Sequence, residues 1–309
     1  MHTKLNSISA KQKPLTHENK FAHDISNRSA IFLKGKDGLD LLQRLSTNEI
    51  ANLKIGNTAQ TILTNEKGKI IDVISVVKLQ EDQLLLVGNT TGGEPLLAWL
   101  EKYIIMEDAT VENITNRHAH FLQYGSEAGF DDVPNSSSDI HTFVEQWGKQ
   151  VLHHVVCPLS SKEKLIADLQ QSGFRVVNDE HFTSFRVEHG IPAHPNELSG
   201  TYNPMEAGLI DLISFTKGCY IGQEVIARLD TYKKVQKQLV KFFLGARPVS
   251  LPIPIFCGNE EVGTITSVGL DHSNGMTLAL GYLKTSLISE TKPFFFLKDD
   301  QITHVNLRV

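Results

Sequence analysis

The spacing of apolar residues changes character near residue 236, and that change sets the architecture. Downstream, six short runs rich in β-branched and aromatic residues (238–244, 253–256, 262–268, 276–282, 293–297 and 302–309) alternate with turn sequences such as CGNEE, DHSNG and KDD. Strands of this length at regular spacing predict a small antiparallel barrel or sandwich. Upstream, helical and strand periods are mixed. A domain boundary is therefore expected at 233–237, with residues 1–235 as one region and 236–309 as the other.

The upstream region carries readable elements. Leu39, Leu41, Leu42 and Leu45 recur at helical spacing over 37–45. Residues 58–64 and 69–79 are strand-like runs joined by Asn65-Glu66-Lys67-Gly68, the pattern of a hairpin. A strand is expected at 84–87. A helix over 94–105 would be entered through Gly92-Gly93 and Pro95. The stretch 131–139 (DDVPNSSSD) reads as a loop. Helices over 161–171 and 179–189, stopped by Gly173 and Gly190, bracket a short strand at 174–177. Residues 191–204 then run on without a period, and a long irregular stretch inside a folded protein is commonly functional. The first 20 residues are polar and expected to be loosely docked.

Composition narrows the function classes. The chain has 309 residues, 40% hydrophobic and 21% charged, enough for two or three domains with buried cores and unlike a disordered chain. Thirty basic residues against 35 acidic ones give a net charge of −5, which argues against a whole-molecule grip on nucleic acid or an anionic membrane. The three cysteines, Cys157, Cys219 and Cys257, form no C-x-x-C pair. A disulfide framework, a zinc clamp and a stably held iron–sulfur cluster are not expected, and a reducing, cytoplasmic setting is. The N-terminus lacks the apolar core of a signal peptide, and no run of about 18 apolar residues could span a membrane. Thirteen histidines include His118-x-His120 and His153-His154 but no H-E-x-x-H, so no metal site is expected.

Three segments could carry chemistry. In Lys217-Gly218-Cys219-Tyr220-Ile221-Gly222-Gln223-Glu224, two glycines four apart permit a sharp turn ahead of a helix. Cys219, near that helix start and two residues from Lys217, is placed as a thiolate nucleophile or redox group, or as a packing residue in a glycine turn. Asp72 alternates with Ile70, Ile74 and Val76 on one strand face. A carboxylate there hydrogen-bonds a ligand's nitrogen as a cofactor-binding group, acts as an acid/base group with a raised pKa, or is a solvent-facing edge residue. Glu188, in Arg186-Val187-Glu188-His189-Gly190-Ile191-Pro192, could accept paired N–H bonds from an amino-heterocycle, or form a surface pair with Arg186. The basic stretch Arg228, Lys233, Lys234, Lys237, Lys241 and Arg247 is a solvated face or an RNA contact.

KGCYIGQE resembles the signature of the YgfZ-type folate-binding proteins, relatives of the glycine cleavage T-protein (aminomethyltransferase). LDLLQRLSTNEI, TILTNEKGKIIDVI, RVEHGIP, NPMEAGL and ISFTKGCYIGQEVIAR follow in the order that family has them. The resemblance implies an α+β, aminomethyltransferase-like folate-binding fold. Its subdomains would form a ring around a central cavity, an inner one at roughly 50–115, with a C-terminal antiparallel β-barrel. It implies tetrahydrofolate as cofactor and a non-enzymatic accessory role in iron–sulfur cluster assembly or repair. Iron–sulfur enzymes or assembly factors would be the partners. It places Cys219 and Lys217 at the motif's functional thiol and amine, Asp72 at the aminomethyltransferases' catalytic aspartate, and Glu188 against the pterin ring. Asn203, Glu206 and Arg228 would line or support the cavity. Aminomethyltransferase activity is the alternative, since Asp72 is retained. An RNA-binding module is a third reading.

Overall fold

The structure is a computed structural model that describes residues 20–125, 139–232, 234–271, 275–289, 292–298 and 301–308. Two five-stranded sheets and a closed barrel carry the chain. The first sheet is built from β1 (Lys20–Asp24), β7 (His118–Gly125), β8 (His141–Trp147), β9 (Gln150–Pro158) and β10 (Phe174–Val177), in the order β10-β1-β7-β9-β8. The second is built from β2 (Arg28–Lys34), β3 (Thr58–Thr64), β4 (Ile70–Gln80), β5 (Gln83–Thr91) and β6 (Thr110–Asn113), in the order β3-β4-β5-β2-β6. The second sheet thus reaches back to Arg28, ahead of the 50–115 span expected for an inner subdomain.

Helix α1 (Gly38–Leu45) turns Leu41, Leu42 and Leu45 into the core behind the second sheet, with Ile31, Leu63 and Leu86. Side chains of this kind contribute about 1.5–3 kcal/mol each when fully buried. Helix α2 (Glu94–Glu101) stops four residues short of the expected end. The Glu107 carboxylate takes the N–H groups of Ile105 (2.9 Å) and Met106 (3.1 Å), which a continuing helix would need for its own carbonyls. Strand β5 runs past the expected 84–87, because Asn89 and Thr90 stay extended to donate to Asp72.

Helix α3 (Lys162–Gln171) covers the outer face of the first sheet. Helix α4 (Asp179–His189) is capped by the Asn178 side chain and ends at Gly190 in the left-handed conformation. It packs on the C-terminal barrel through Val187, against Leu278 and Leu280. The barrel closes in the order β11-β14-β13-β12-β15-β16, from β11 (Lys237–Leu244), β12 (Ile253–Cys257), β13 (Glu260–Leu270), β14 (Thr277–Lys284), β15 (Phe294–Lys298) and β16 (Gln301–Arg308). All six expected strands are present, and closure leaves no free edge. The sequence 131–139 lies, except for Asp139, outside the described residues. Among the described residues, no helix is long and apolar enough to cross a membrane.

Candidate functional site

Asp72 is the most elaborately held of the expected residues. It is 2% exposed, on β4 where that strand faces β5. Its Oδ1 accepts the N–H groups of Val73 (2.8 Å) and Asn89 (2.8 Å). Its Oδ2 accepts the Thr90 hydroxyl (2.7 Å) and the Thr90 N–H (3.3 Å). The approach depends on Gly88, where an added Cβ would stand 2.3 Å from Oδ2. Ser29 Oγ lies 2.7 Å from Thr90 Oγ1 and continues the polar line into β2. Burial dominates the carboxyl's acidity and pushes it up to about 6, against the pull of four donors. The alternative of a solvent-facing edge residue is thereby excluded.

A second polar line lies between the two sheets. Glu145 on β8 accepts the Ser75 hydroxyl (2.8 Å) and the Trp147 indole N–H (2.9 Å). His154 Nε2 stands 3.3 Å from the same carboxylate, and His154 Nδ1 lies 2.9 Å from His120 Nε2. Burial opposes a charge on Glu145, yet His154 and Arg28 beside it hold the carboxyl well below its usual range. Burial, with the charges of His154 and Arg28, keeps His120 neutral. Glu145 can only accept, so a proton stands on His154 Nε2 facing it. The His120 Nδ1 atom is buried and has no partner among the described residues.

Arg28, where β1 passes into β2, was not expected as a site residue. It is half-buried and lies within electrostatic reach of Glu145, Asp72 and Arg186. His120 and His194 feel its charge as well. Its guanidinium forms no hydrogen bond or ion pair with any described residue. No motif marks it; the only sequence signal is an arginine opening a strand whose next residues, Ser29, Ala30 and Ile31, are all buried.

The expected surface pair of Arg186 and Glu188 does not form. Arg186 is buried and pairs with Glu197 (3.0 Å), which is 0% exposed and lies in the long irregular stretch. Glu197 also accepts the Ala193 N–H (3.0 Å), the Thr266 hydroxyl (2.5 Å) and the Ser267 hydroxyl (2.6 Å). Ser267 is bonded by Arg186 in turn (2.6 Å). Residues 191–204 are therefore ordered by a clasp onto the barrel. The Glu188 carboxylate is left half-buried, with no partner among the described residues.

The KGCYIGQE segment is clamped at both ends. Lys217 is 7% exposed, and its ammonium donates to the carbonyls of Gln43 (2.6 Å), Ser46 (2.7 Å) and Asn48 (2.7 Å), at and just beyond the end of α1. Burial pulls its pKa down to about 8. All three N–H bonds are spent on that helix end, so Lys217 acts as a structural pin and has none left for the Cys219 sulfur. Downstream, the Thr64 hydroxyl donates to the Ile221 carbonyl (2.5 Å). Gly222 packs against the hairpin turn at a φ of +82°, where a Cβ would meet the Asn65 carbonyl at 2.5 Å. Helix α5 (Gln223–Thr231) starts from there. Cys219 stands exposed on the loop between the two clamps, four residues ahead of α5. Cys157 is buried, as a packing cysteine would be.

Three expected residues take other places. Asn203 and Glu206 bond each other across one turn. The Asn203 N–H donates to the Glu206 carboxylate (2.9 Å), and the Glu206 N–H donates to the Asn203 side-chain oxygen (2.9 Å). Lys69 reaches the same carboxylate at 3.4 Å. These bonds fasten the turn to the β3–β4 hairpin. Arg228 is exposed on α5. Asp72 draws its hydrogen bonds from β4 and β5 alone. The structure thus brings Asp72 into electrostatic reach of Arg28, and its hydrogen bonds include none to Glu188 or Cys219. A separate cavity of about 600 Å³, lined by Leu53, Lys54, Asn57, Thr142 and Val144 among others, contains none of the expected site residues.

Residues 6–129 match the GCVT N-terminal domain family. The chain is 25% identical over 284 residues to the aminomethyltransferase of Listeria monocytogenes, covering 85% of this chain and 78% of that protein. It is 26% identical over 270 residues to that of Bacillus cereus, covering 79% and 73%. The crystal structure of glycine cleavage system aminomethyltransferase T from Bartonella henselae superposes with a TM-score of 0.81 over 95% of this chain and 86% of that one, at 19% identity. Over most of its length the chain is therefore similar to aminomethyltransferases, and its fold is aminomethyltransferase-like, ending in a closed six-stranded barrel.

Proposed function

We propose that the chain binds a reduced folate and serves aminomethyl transfer, as its relatives' names indicate for them. The observation that carries this reading is Asp72: a buried carboxyl on β4 with its pKa raised to about 6, held at fixed orientation by four donors. Such a group exchanges a proton near neutral pH without moving. At pH 7 it is mostly ionised, and Oδ2, shared only with Thr90, is the oxygen that would take a proton from an amine. The Glu188 carboxylate, half-buried and unpartnered, offers the acceptor pair that an amino-pterin edge requires. Both groups fit tetrahydrofolate, which when bound supplies a secondary-amine nitrogen as one-carbon acceptor. The Thr90 and Asn89 N–H groups keep Asp72 from swinging. The Arg186–Glu197 clasp holds the helix that carries Glu188.

Purified protein is expected to bind tetrahydrofolate in calorimetry. It should move the methylene carbon from an aminomethyl-lipoyl carrier protein to that folate, with release of ammonia and the free dihydrolipoyl thiol. Asp72→Asn should cut the rate by about 10²–10⁴-fold while leaving folate affinity within a few fold, the range for a lost general base. Unchanged turnover in Asp72→Asn removes this reading.

A second reading, an accessory role towards iron–sulfur enzymes, is favoured by one observation: the double clamp that displays the Cys219 thiol on the surface. It requires Cys219→Ala to impair iron–sulfur enzyme activity in a strain lacking the wild-type protein. Full restoration of that activity by the variant rules it out.

A further inference from the structure

The two oxygens of Asp72 meet donors of different kinds. Oδ1 faces the backbone N–H groups of Val73 and Asn89, which are fixed in their strands. Oδ2 faces the Thr90 N–H at the longer distance of 3.3 Å and the Thr90 hydroxyl at 2.7 Å. A backbone N–H only donates, whereas a hydroxyl turns about its C–O bond and both donates and accepts. A proton arriving on the carboxyl therefore belongs on Oδ2, where the nearer partner can reverse. Behind Thr90 stands Ser29 on β2, 0% exposed. Its Oγ lies 2.7 Å from Thr90 Oγ1 and 2.9 Å from the Thr90 carbonyl oxygen. Asp72, Thr90 and Ser29 are all buried.

These contacts serve two orientations. With Asp72 ionised, the Thr90 hydroxyl donates to Oδ2, and the Ser29 hydroxyl donates to Thr90 Oγ1 or to the Thr90 carbonyl. With Asp72 protonated, Oδ2–H donates to Thr90 Oγ1, the Thr90 hydroxyl donates to Ser29 Oγ, and the Ser29 hydroxyl donates to the Thr90 carbonyl. The same distances fit both. We propose that Ser29 is a positioning residue for proton exchange at Asp72, closing a hydroxyl chain that reverses direction as the carboxyl gains or loses its proton. No O–H bond breaks within the chain; the arriving proton stays on Oδ2 and the two hydroxyls turn. Without the Ser29 oxygen, the ionised form still has an acceptor for every proton. The protonated form does not: the protons of Asp72 and Thr90 then share one O···O contact, and one of them is buried without an acceptor. Ser29 thus favours the protonated form. The other groups around Asp72 do not titrate: Leu63 opposite on β3, Val73 on β4, Gly88 and Asn89 on β5, and Leu96 on α2. The charge of Arg28, at the start of β2, reaches Asp72 in both forms. The inference rests on the reading of Asp72 as the proton-exchanging group.

The protonated carboxyl is read from its infrared C=O band, taken as the difference between each full-length protein and the same protein carrying Asp72→Asn. In the wild type this band should titrate with a midpoint of about 6. In Ser29→Ala the midpoint should move down to about 4–5, a ten- to hundredfold loss of proton affinity, the range for a buried donor left unmet. Ser29→Cys nearly fills the space of serine with a weak donor and acceptor, and should follow Ser29→Ala. Near-ultraviolet circular dichroism reports whether each variant is folded. A role in packing alone would lower the thermal midpoint of Ser29→Ala and leave the carboxyl titration in place. An unmoved or raised titration midpoint in folded Ser29→Ala and Ser29→Cys overturns the proposal, as does a wild-type band that does not titrate between pH 4 and pH 8. Activity separates this inference from the function it rests on. If Asp72→Asn abolishes turnover while Ser29→Ala leaves the titration unmoved, the hydroxyl chain alone is wrong. If Ser29→Ala moves the titration while Asp72→Asn turns over normally, the transfer reading falls and the chain stands.

Discussion

Arg186 and Arg28 differ in what surrounds them. Arg186 meets Glu197 and Ser267, and Glu197 spends its remaining acceptor capacity on Thr266, Ser267 and Ala193. Arg28 meets no acceptor, although Glu145 and Asp72 lie within electrostatic reach. The first arrangement is a closed network that ties the 191–204 stretch to the barrel. The second is a half-buried arginine at the opening of β2, with no nitrogen that is both buried and unpartnered. A completed polar network confers order on the chain around it, whereas a half-exposed guanidinium meets its donors in water.

The largest effect should come from breaking the closed network. Arg186→Met leaves Glu197 buried and unpaired, and should cost about 3–5 kcal/mol in urea-denaturation experiments. A loss below about 1 kcal/mol would erase the contrast between the two arginines. Next comes Asp72, whose carboxyl is raised from 3.8 to about 6 in the folded state. A raised acid favours the fold fully below its unfolded pKa, and that contribution is lost as pH climbs through the folded pKa. The wild type should therefore lose about 2 kcal/mol relative to Asp72→Asn between pH 4 and pH 7. Parallel stability curves for the two proteins would show that Asp72 does not titrate as described.

Lys217→Met is third. It strips three carbonyls at the α1 end of a charged donor and should cost about 2 kcal/mol. The thermal midpoint measures it, and alkylation of Cys219 should quicken as the loop loosens. The smallest effect belongs to Arg28→Met, which should stay within about 1 kcal/mol of wild type, because no protein bond is broken. A large loss there would mean that Arg28 is structural after all.

The sequence carried the barrel plainly, since each of its six strands is a short apolar run between turn residues. The hairpin at 58–80 and helix α4 were equally legible, through Gly68 and through Gly190. The strands of 118–158 were not. In β7 Ala119 through Tyr124 are all buried, so the alternation that marks a strand is missing. Asp72 could be singled out because one polar residue breaks an apolar face. Arg28 and Glu197 could not, because their surroundings come from distant parts of the chain, Glu145 beside Arg28 and Ser267 against Glu197. Lys217 was legible as part of a motif, and its task was not. Position beside a cysteine suggested tuning of the thiol, whereas the folded chain points the ammonium at a helix end.

Strand β1 lies between β7, antiparallel to it, and β10, parallel to it, so that Phe21 stands opposite Tyr124 on one side and Arg175 on the other. The first sheet is therefore assembled from the opening of the described chain and from residues made much later. During synthesis β1 must wait, one edge unsatisfied, until residue 177 has emerged, and contacts this distant in sequence slow folding. The span 6–129 includes β1 and β7 but not β8, β9 or β10. As a separate fragment it would present an incomplete sheet with open edges. Whatever evolutionary history that span records, it is not a module that could be cut out and transplanted, because β9 and β10, its covering neighbours, are encoded beyond its end.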